Sequence, residues 1–132
     1  AVKQLQLIEH VLFRSERLIL FPEGTSSDGR KVLPFKPSLF EAPIQADAIV
    51  QPLTIRYEKI NGMPVDLRSK PLLAWYGAMD LLPHLWQSLS VGTITIKIVF
   101  HKPIRAIVFS NRKKLASHCQ KIIALESEKS NQ

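Results

Sequence analysis

The chain has 132 residues, 45% of them hydrophobic, which suits one domain or part of one with a packed core and argues against disorder. Its single cysteine, Cys119, excludes an internal disulfide framework and a cysteine-rich zinc site. A formal charge of +7 favours anionic partners: nucleic acid, phosphorylated metabolites or an anionic lipid surface.

No apolar run approaches the roughly 18 to 20 residues that span a bilayer, and no signal-peptide pattern is present. The chain opens without methionine, in what reads as the middle of a helix, so an N-terminal cut is the expectation. Basic residues are dispersed, and the longest run, Arg112-Lys113-Lys114, reads as the solvated face of a helix.

In chain order, Leu5, Ile8, Val11 and Leu12 recur at helical spacing and predict an amphipathic helix to about Phe13. Ser15 and Glu16 turn the chain. The uninterrupted apolar run at residues 17–21, RLILF, predicts a short strand buried on both faces of a parallel sheet, ended by Pro22. A loop follows over residues 22–36. Pro37 suits a helix start, and Leu39, Phe40 and Ile44 predict a short helix to about Asp47 that Pro43 kinks or shortens.

AIVQPLTIRY, residues 48–57, predicts a second strand, with Pro52 marking a bulge or an edge. Asn61-Gly62 signals a turn inside an exposed excursion over residues 58–71. LLAWYG, residues 72–77, reads as strand-like, and Leu81 to Leu89 as a compact helix. TITIKIVF, residues 93–100, alternates at period two and is the clearest strand. Leu115, Cys119, Ile122 and Ile123 predict a C-terminal amphipathic helix capped by Ser110 or Asn111. This alternation predicts an α/β layer structure around a mixed, largely parallel sheet flanked by helices. Residues 1–126 are assigned to one domain and 127–132 to a frayed tail.

The loop after residue 21 gathers chemistry. In α/β sheets ligands collect beyond the carboxyl ends of strands, and Pro22–Ser27 leaves such an end. Gly24 allows a sharp turn and close approach of an amide to a ligand. Thr25, Ser26 and Ser27 add hydroxyls, and Arg30, Lys31 and Lys36 add charge, so the set suits phosphate oxygens. Glu23 repels phosphate, so it either accepts from a sugar or glycerol hydroxyl or ties down the loop's own amides. The plainer alternative is a polar surface turn, with Asp28-Gly29 a tight turn and nothing more.

Phe21-Pro22-Glu23-Gly24-Thr25-Ser26 resembles the F-P-E-G-T-R/S block of the glycerolipid acyltransferases, the family of 1-acyl-glycerol-3-phosphate acyltransferase. VLPFKPSLFEAP, residues 32–43, is similar to the family's following FKxGxxxxA segment, and IVQPLTI, residues 49–55, to its I-V-P-V-x-I strand. AWYGAMDLLPHLW, residues 74–86, resembles a bacterial branch that includes the lyso-ornithine-lipid acyltransferases. The likeness covers most of residues 1 to about 105.

The resemblance implies the C-terminal part of the glycerol-phosphate acyltransferase fold. It implies transfer of an acyl chain from acyl-CoA or acyl-carrier protein to a lysolipid hydroxyl, with no cofactor and no metal. Glu23, Gly24, Thr25 and Ser26 would then shape the acceptor site, with Lys36 as a further candidate for head-group charge. Ser26 stands where many members carry arginine, which weakens the case for a glycerol-3-phosphate-type acceptor and leaves room for a zwitterionic one such as lyso-ornithine lipid.

The family's signature N-H-x-x-x-x-D supplies a general base, because an alcohol is a poor nucleophile until its proton is removed. Five positions beyond His10, His84, His101 and His118 stand Ser15, Leu89, Ala106 and Ile123, so none fits. The expectation is that this chain alone is inactive and that the base lies upstream. His84 is the alternative base, though a histidine beside leucine and tryptophan is more often a packing residue.

The expected partners are a lysolipid acceptor, an acyl donor and a membrane surface, at the cytoplasmic face of a bacterial inner membrane. Trp75, Tyr76, Leu82, Leu85 and Trp86 would lie near an acyl tunnel or the bilayer, with Arg68 and Lys70 facing anionic head groups, or else the leucines and Trp86 are core. Self-association is expected if strand edges are left open. A non-catalytic lipid-binding or scaffolding domain is a second reading. A nucleic-acid module is a third, but the basic residues are not on one face with interleaved aromatics, so no nucleic-acid partner is expected.

Overall fold

A computed structural model describes residues 2–27, 31–65 and 92–129. The first element is α1, Val2–Phe13, closed by Ser15 in the left-handed region (φ 59°), with the amides of Ser15 and Glu16 returning to the carbonyls of Leu12 and Val11. Ile8 is its buried contact. After the loop comes a 3-10 turn, Pro37–Phe40, with Pro37 at its start, and then α2, Glu41–Gln45. Pro43 falls in the first turn of α2, where its lack of an N–H costs little.

The strands are β1, Ile49–Val50; β2, Leu53–Ile60; β3, Met63–Pro64; β4, Ile94–Phe100; and β5, Ile104–Arg105. A second 3-10 turn, Ala106–Val108, leads to α3, Arg112–Glu128. Asn111 caps α3, accepting from the amide of Lys114 at 3.0 Å. The side chain of Glu126 in its last turn is held by Arg56 at 3.2 Å and by Lys129 at 2.9 Å.

Every strand pairing among the described residues is antiparallel, and this corrects the expectation of a largely parallel sheet. β1 with β5 and β2 with β4 form what is in effect one ladder interrupted at Pro52. Proline cannot donate there, so only its carbonyl is used, by the amide of His101 at 3.0 Å. Between Val50↔Ile104 and Leu53↔Phe100 the register slips by one residue. The bulge expected at Pro52 is this slip, and a second bulge lies between Tyr57 and Lys59. Asn61 and Gly62, at φ 51° and 80°, make the two-residue turn from β2 to β3, a geometry that favours this pair of residues.

Residues 17–21 belong to no strand, and this too corrects an expectation. Their side chains are not buried: Ile19 is 77% exposed and Phe21 73%. The sequence has the composition of a two-sided buried strand. Such a strand exists only where neighbours supply a ladder, and among the described residues none does. The strand-like reading of residues 72–77 and the helix over 81–89 lie outside the described residues.

The core gathers Phe35, Phe40, Ala106, Leu115, Ala116 and Cys119, with Val32, Leu39, Ile44 and Ile123 around it. Phe35 and Phe40 stack at 6.3 Å between ring centroids. α3 thus lies over the 3-10 turn on one side and β2 on the other. Burial pushes the Cys119 thiol up to about 11, so it acts as a small apolar side chain and not as a nucleophile.

Two stability predictions follow from this packing. Leu115 is fully buried, so Leu115→Ala should cost about 2–5 kcal/mol in denaturant unfolding. The Glu126 carboxyl is held below its ordinary range, chiefly by the bond from Lys129 and then by the charges of Lys129 and Arg56. A carboxyl lowered in the folded state adds stability that is complete above the unfolded value and is lost as pH falls through the folded one. Glu126→Gln should therefore flatten the acid side of the stability profile, and an acid limb as steep as the wild type's would contradict the assignment.

Candidate functional site

The candidate site is the loop that leaves residue 21 and returns at Phe35. Its return is fixed by chain logic: Phe35 is drawn into the core, Lys36 is turned outward, and Pro37 starts the next turn. That anchors one side. The other side, Pro22 to Gly24, has no core residue of its own and is held by three contacts across the loop.

The Pro22 carbonyl accepts from the backbone amide of Lys36 at 2.8 Å. One carboxylate oxygen of Glu23, Oε2, accepts from the amide of Leu33 at 2.8 Å. The Lys36 ammonium donates to the Gly24 carbonyl at 3.2 Å. Within the turn, the Gly24 amide donates to the Phe21 carbonyl at 3.2 Å. Gly24 has φ +65°, and a Cβ there would come within 2.6 to 2.9 Å of the Lys36 side chain. The left-handed backbone favours glycine at this corner, and a side chain there would displace the end of Lys36 from the Gly24 carbonyl.

Glu23 is half-buried, and of the two roles left open by the sequence the geometry gives it loop-tying. Gly24, Thr25, Ser26 and Lys36 are exposed. Among the described residues, the Thr25 hydroxyl reaches the Ser26 carbonyl, at 3.5 Å. The structure thus brings Glu23, Gly24 and Lys36 together through direct contacts, while Thr25 and Ser26 continue the chain beside them with their side chains open to solvent. Lys31 is exposed at the far side of the loop. Arg30 and the Asp28-Gly29 turn lie outside the described residues.

The corner can offer a ligand a forked set: two hydroxyls from Thr25 and Ser26, and one ammonium that is already half-committed to a carbonyl. Hydroxyls and an ammonium are hydrogen-bond donors of the kind that suit the oxygens of a polar group. What sequence reasoning missed is the strap itself, the Pro22 carbonyl and the Leu33 amide. Main-chain groups leave no residue-type signal, although the buried Phe35 beside the exposed Lys36 was a clue to where the strap closes.

Three histidines are described. His10 is exposed on α1. His101 Nε2 is bonded to the buried Thr54 hydroxyl at 2.8 Å. His118 packs its ring against Phe109, 5.1 Å between centroids. The alternative base His84, and the aromatic and basic residues from Arg68 to Trp86 assigned to lipid contact, lie outside the described residues. Among the described residues, no group of three or more histidine, cysteine or acidic side chains is arranged to hold a metal ion.

A family model described as Acyltransferase matches residues 1–56, which include the whole loop. The chain is 37% identical over 122 residues to a lyso-ornithine lipid O-acyltransferase of Brucella abortus (strain 2308), an alignment covering 87% of this chain and 46% of the relative. It is 38% identical over 108 residues to one of Rhizobium meliloti (strain 1021), covering 76% of this chain and 37% of the relative. A 1-acyl-sn-glycerol-3-phosphate acyltransferase of Neisseria gonorrhoeae is 34% identical over 89 residues, covering 67% of this chain and 32% of the relative. The chain thus spans less than half the length of these curated relatives. No solved structure matches it.

The strap makes a local prediction. Glu23→Ala removes the acceptor for the Leu33 amide and should speed hydrogen exchange at that amide by tenfold or more (about 1.4 kcal/mol) while Leu115 stays protected. Exchange at Leu33 that stays as slow as in the wild type would remove Glu23 from its loop-tying role.

Proposed function

The chain belongs to the glycerolipid acyltransferase family, and from that premise we propose that it supplies the acceptor side of an acyl transfer onto a lysolipid hydroxyl. The observation that carries this reading is the family's Glu-Gly-Thr block held at a corner by the Leu33 amide on Glu23 and the Lys36 ammonium on the Gly24 carbonyl. A corner fixed before the acceptor arrives avoids the entropy of ordering it at the moment of reaction.

In this reading the acceptor hydroxyl oxygen attacks the carbonyl of an acyl thioester carried by acyl-CoA or acyl-carrier protein. The C–O bond forms, the C–S bond breaks, a general base takes the hydroxyl proton, and the thiol leaves with a proton. Thr25, Ser26 and the Lys36 ammonium hold the acceptor's polar end, and Glu23 and Gly24 hold the corner. The base is supplied by sequence beyond these 132 residues, because no histidine here has an aspartate five positions on, and the chain by itself is inactive.

The acceptor proposed is a zwitterionic lysolipid of the lyso-ornithine class. Support comes from Ser26 in place of the arginine of many members, and from the names of the Brucella and Rhizobium relatives. The protein would work at the cytoplasmic face of a bacterial inner membrane.

The test is acyl transfer by a longer protein that carries this chain together with an H-x-x-x-x-D segment. Glu23→Ala and Gly24→Val should each lower turnover by about 10²-fold or more, as misplacement of a positioned substrate does, with circular dichroism unchanged. Ser26→Arg should raise transfer to a phosphate-bearing lysolipid relative to lyso-ornithine lipid. Normal activity in both corner variants would overturn the acceptor-site reading.

A further inference from the structure

Basic residues are dispersed along the chain, but acidic ones are not. Residues 92–125 contain seven of the 18 lysines and arginines and none of the 11 acidic residues, so the formal charge of +7 lies there and the remainder is balanced. Two of the seven are neutralised from outside the segment, Arg105 by Asp47 and Arg112 by Glu41, the latter at 3.0 Å. Lys97, Lys102, Lys113, Lys114 and Lys121 are exposed, and none has an ion-pair partner among the described residues.

Three of these five lie on α3. Arg112, Lys113 and Lys114 fill its first turn, which holds no acidic residue, although the positive end of the helix dipole there favours anions. Lys114, Ser117, Lys121 and Leu125 follow at intervals of three or four residues and form one exposed ridge. It lies opposite the buried stripe of Leu115, Ala116 and Cys119 and runs roughly 16 Å along the helix. The ridge starts beside the candidate site: Arg112 holds Glu41, and α3 packs on the Pro37–Phe40 turn that closes the loop.

A row of cations set against its own helix dipole is balanced by an anionic partner. The form of the row indicates which. Its free cations are lysines, point charges about two turns apart, without the convergent forks that suit a compact phosphate, and the arginines of the segment are already paired. One apolar side chain, Leu125, is too little to enter a bilayer, and no aromatic ring stands on the ridge to stack on bases. Carboxylates spaced along a second helix match Lys114 and Lys121, and Ser117 between them is small enough to let that helix lie close.

We propose that the outward ridge of α3, Lys114, Ser117 and Lys121 with Lys113 at its start, docks an acidic helix of the acyl-carrier protein. The inference rests on the acyl-transfer reading above and gives one of its two donors a place on this chain, next to the turn that anchors the acceptor corner.

The experiment is fluorescence anisotropy of labelled acyl-carrier protein titrated with the 132-residue chain. The wild type should bind, and lose most of that binding when salt rises from about 0.05 to 0.5 M. Lys114→Glu with Lys121→Glu, folded by circular dichroism, should bind about tenfold less. The same change of net charge made away from the ridge, Arg17→Glu with Lys59→Glu, should leave binding within about twofold of the wild type.

No binding by the wild type, or equal loss in the ridge pair and the control pair, overturns the proposal. So does binding of duplex DNA or phosphatidylglycerol vesicles, but not of acyl-carrier protein, through Lys114 and Lys121, which would assign the ridge to another class of partner. If the glutamate pair fails to fold, Lys114→Gln with Lys121→Gln provides the same test with a several-fold loss. Carrier binding is read without catalysis, so its failure leaves the acceptor-site reading standing, and loss of transfer by Glu23→Ala leaves carrier binding unaffected.

Discussion

The bond from the Leu33 amide to the Glu23 carboxylate is the contact on which the candidate site depends. Hydrogen bonds to ionised acceptors are worth about 1.5–3 kcal/mol when shielded and less when half-exposed, as here. The sum matters less than the placement. Pro22 to Gly24 has no buried side chain to fix it, so its geometry is borrowed from residues 33 to 36, which are anchored through Phe35 in the core. The two backbone-directed side chains, Glu23 and Lys36, work in opposite directions across the loop. Each ties its own segment to the other's main chain. The glycine between them takes the left-handed backbone without strain and leaves room for the end of the overlying lysine.

The rest of the fold explains why the anchor is firm. The antiparallel pairing is broken at Pro52 and slipped by one residue there, which divides it into two parts. The β1–β5 part leads directly into Ala106, which lies in the core beside Leu115 and Phe40. The β2–β4 part carries Arg56 toward the end of α3. Among the described residues, α3 is the element that ties the parts together: its buried stripe of Leu115, Ala116 and Cys119 packs under the site loop's return, and its last turn is held by Arg56.

Much of this was legible in the sequence wherever the signal is local. Helical spacing located α1 and α3, Asn111 announced its cap, Asn61-Gly62 its turn, and the alternation of residues 93–100 its strand. The Phe21 to Ser26 block pointed to the loop. Strand direction was not legible, because parallel and antiparallel strands share one side-chain period and differ only in distant partners. Residues 17–21 failed for the same reason: Leu18, Ile19 and Phe21 have the right composition, but a strand is defined by neighbours and not by its own residues. The Glu23–Leu33 bond was half visible, as one of two roles that a lone carboxylate among donors can take. Its partner is a main-chain amide ten residues on, and no residue type marks that.

The most direct measurement of the central claim is photo-crosslinking with a lyso-ornithine lipid that carries a photoreactive group on its polar end, applied to a longer protein containing this chain. If the corner at residues 23–25 cradles that end, label will fall on the peptide spanning residues 22–36 and will be competed by unmodified lipid. Label confined to other peptides, with transfer intact, would contradict the account.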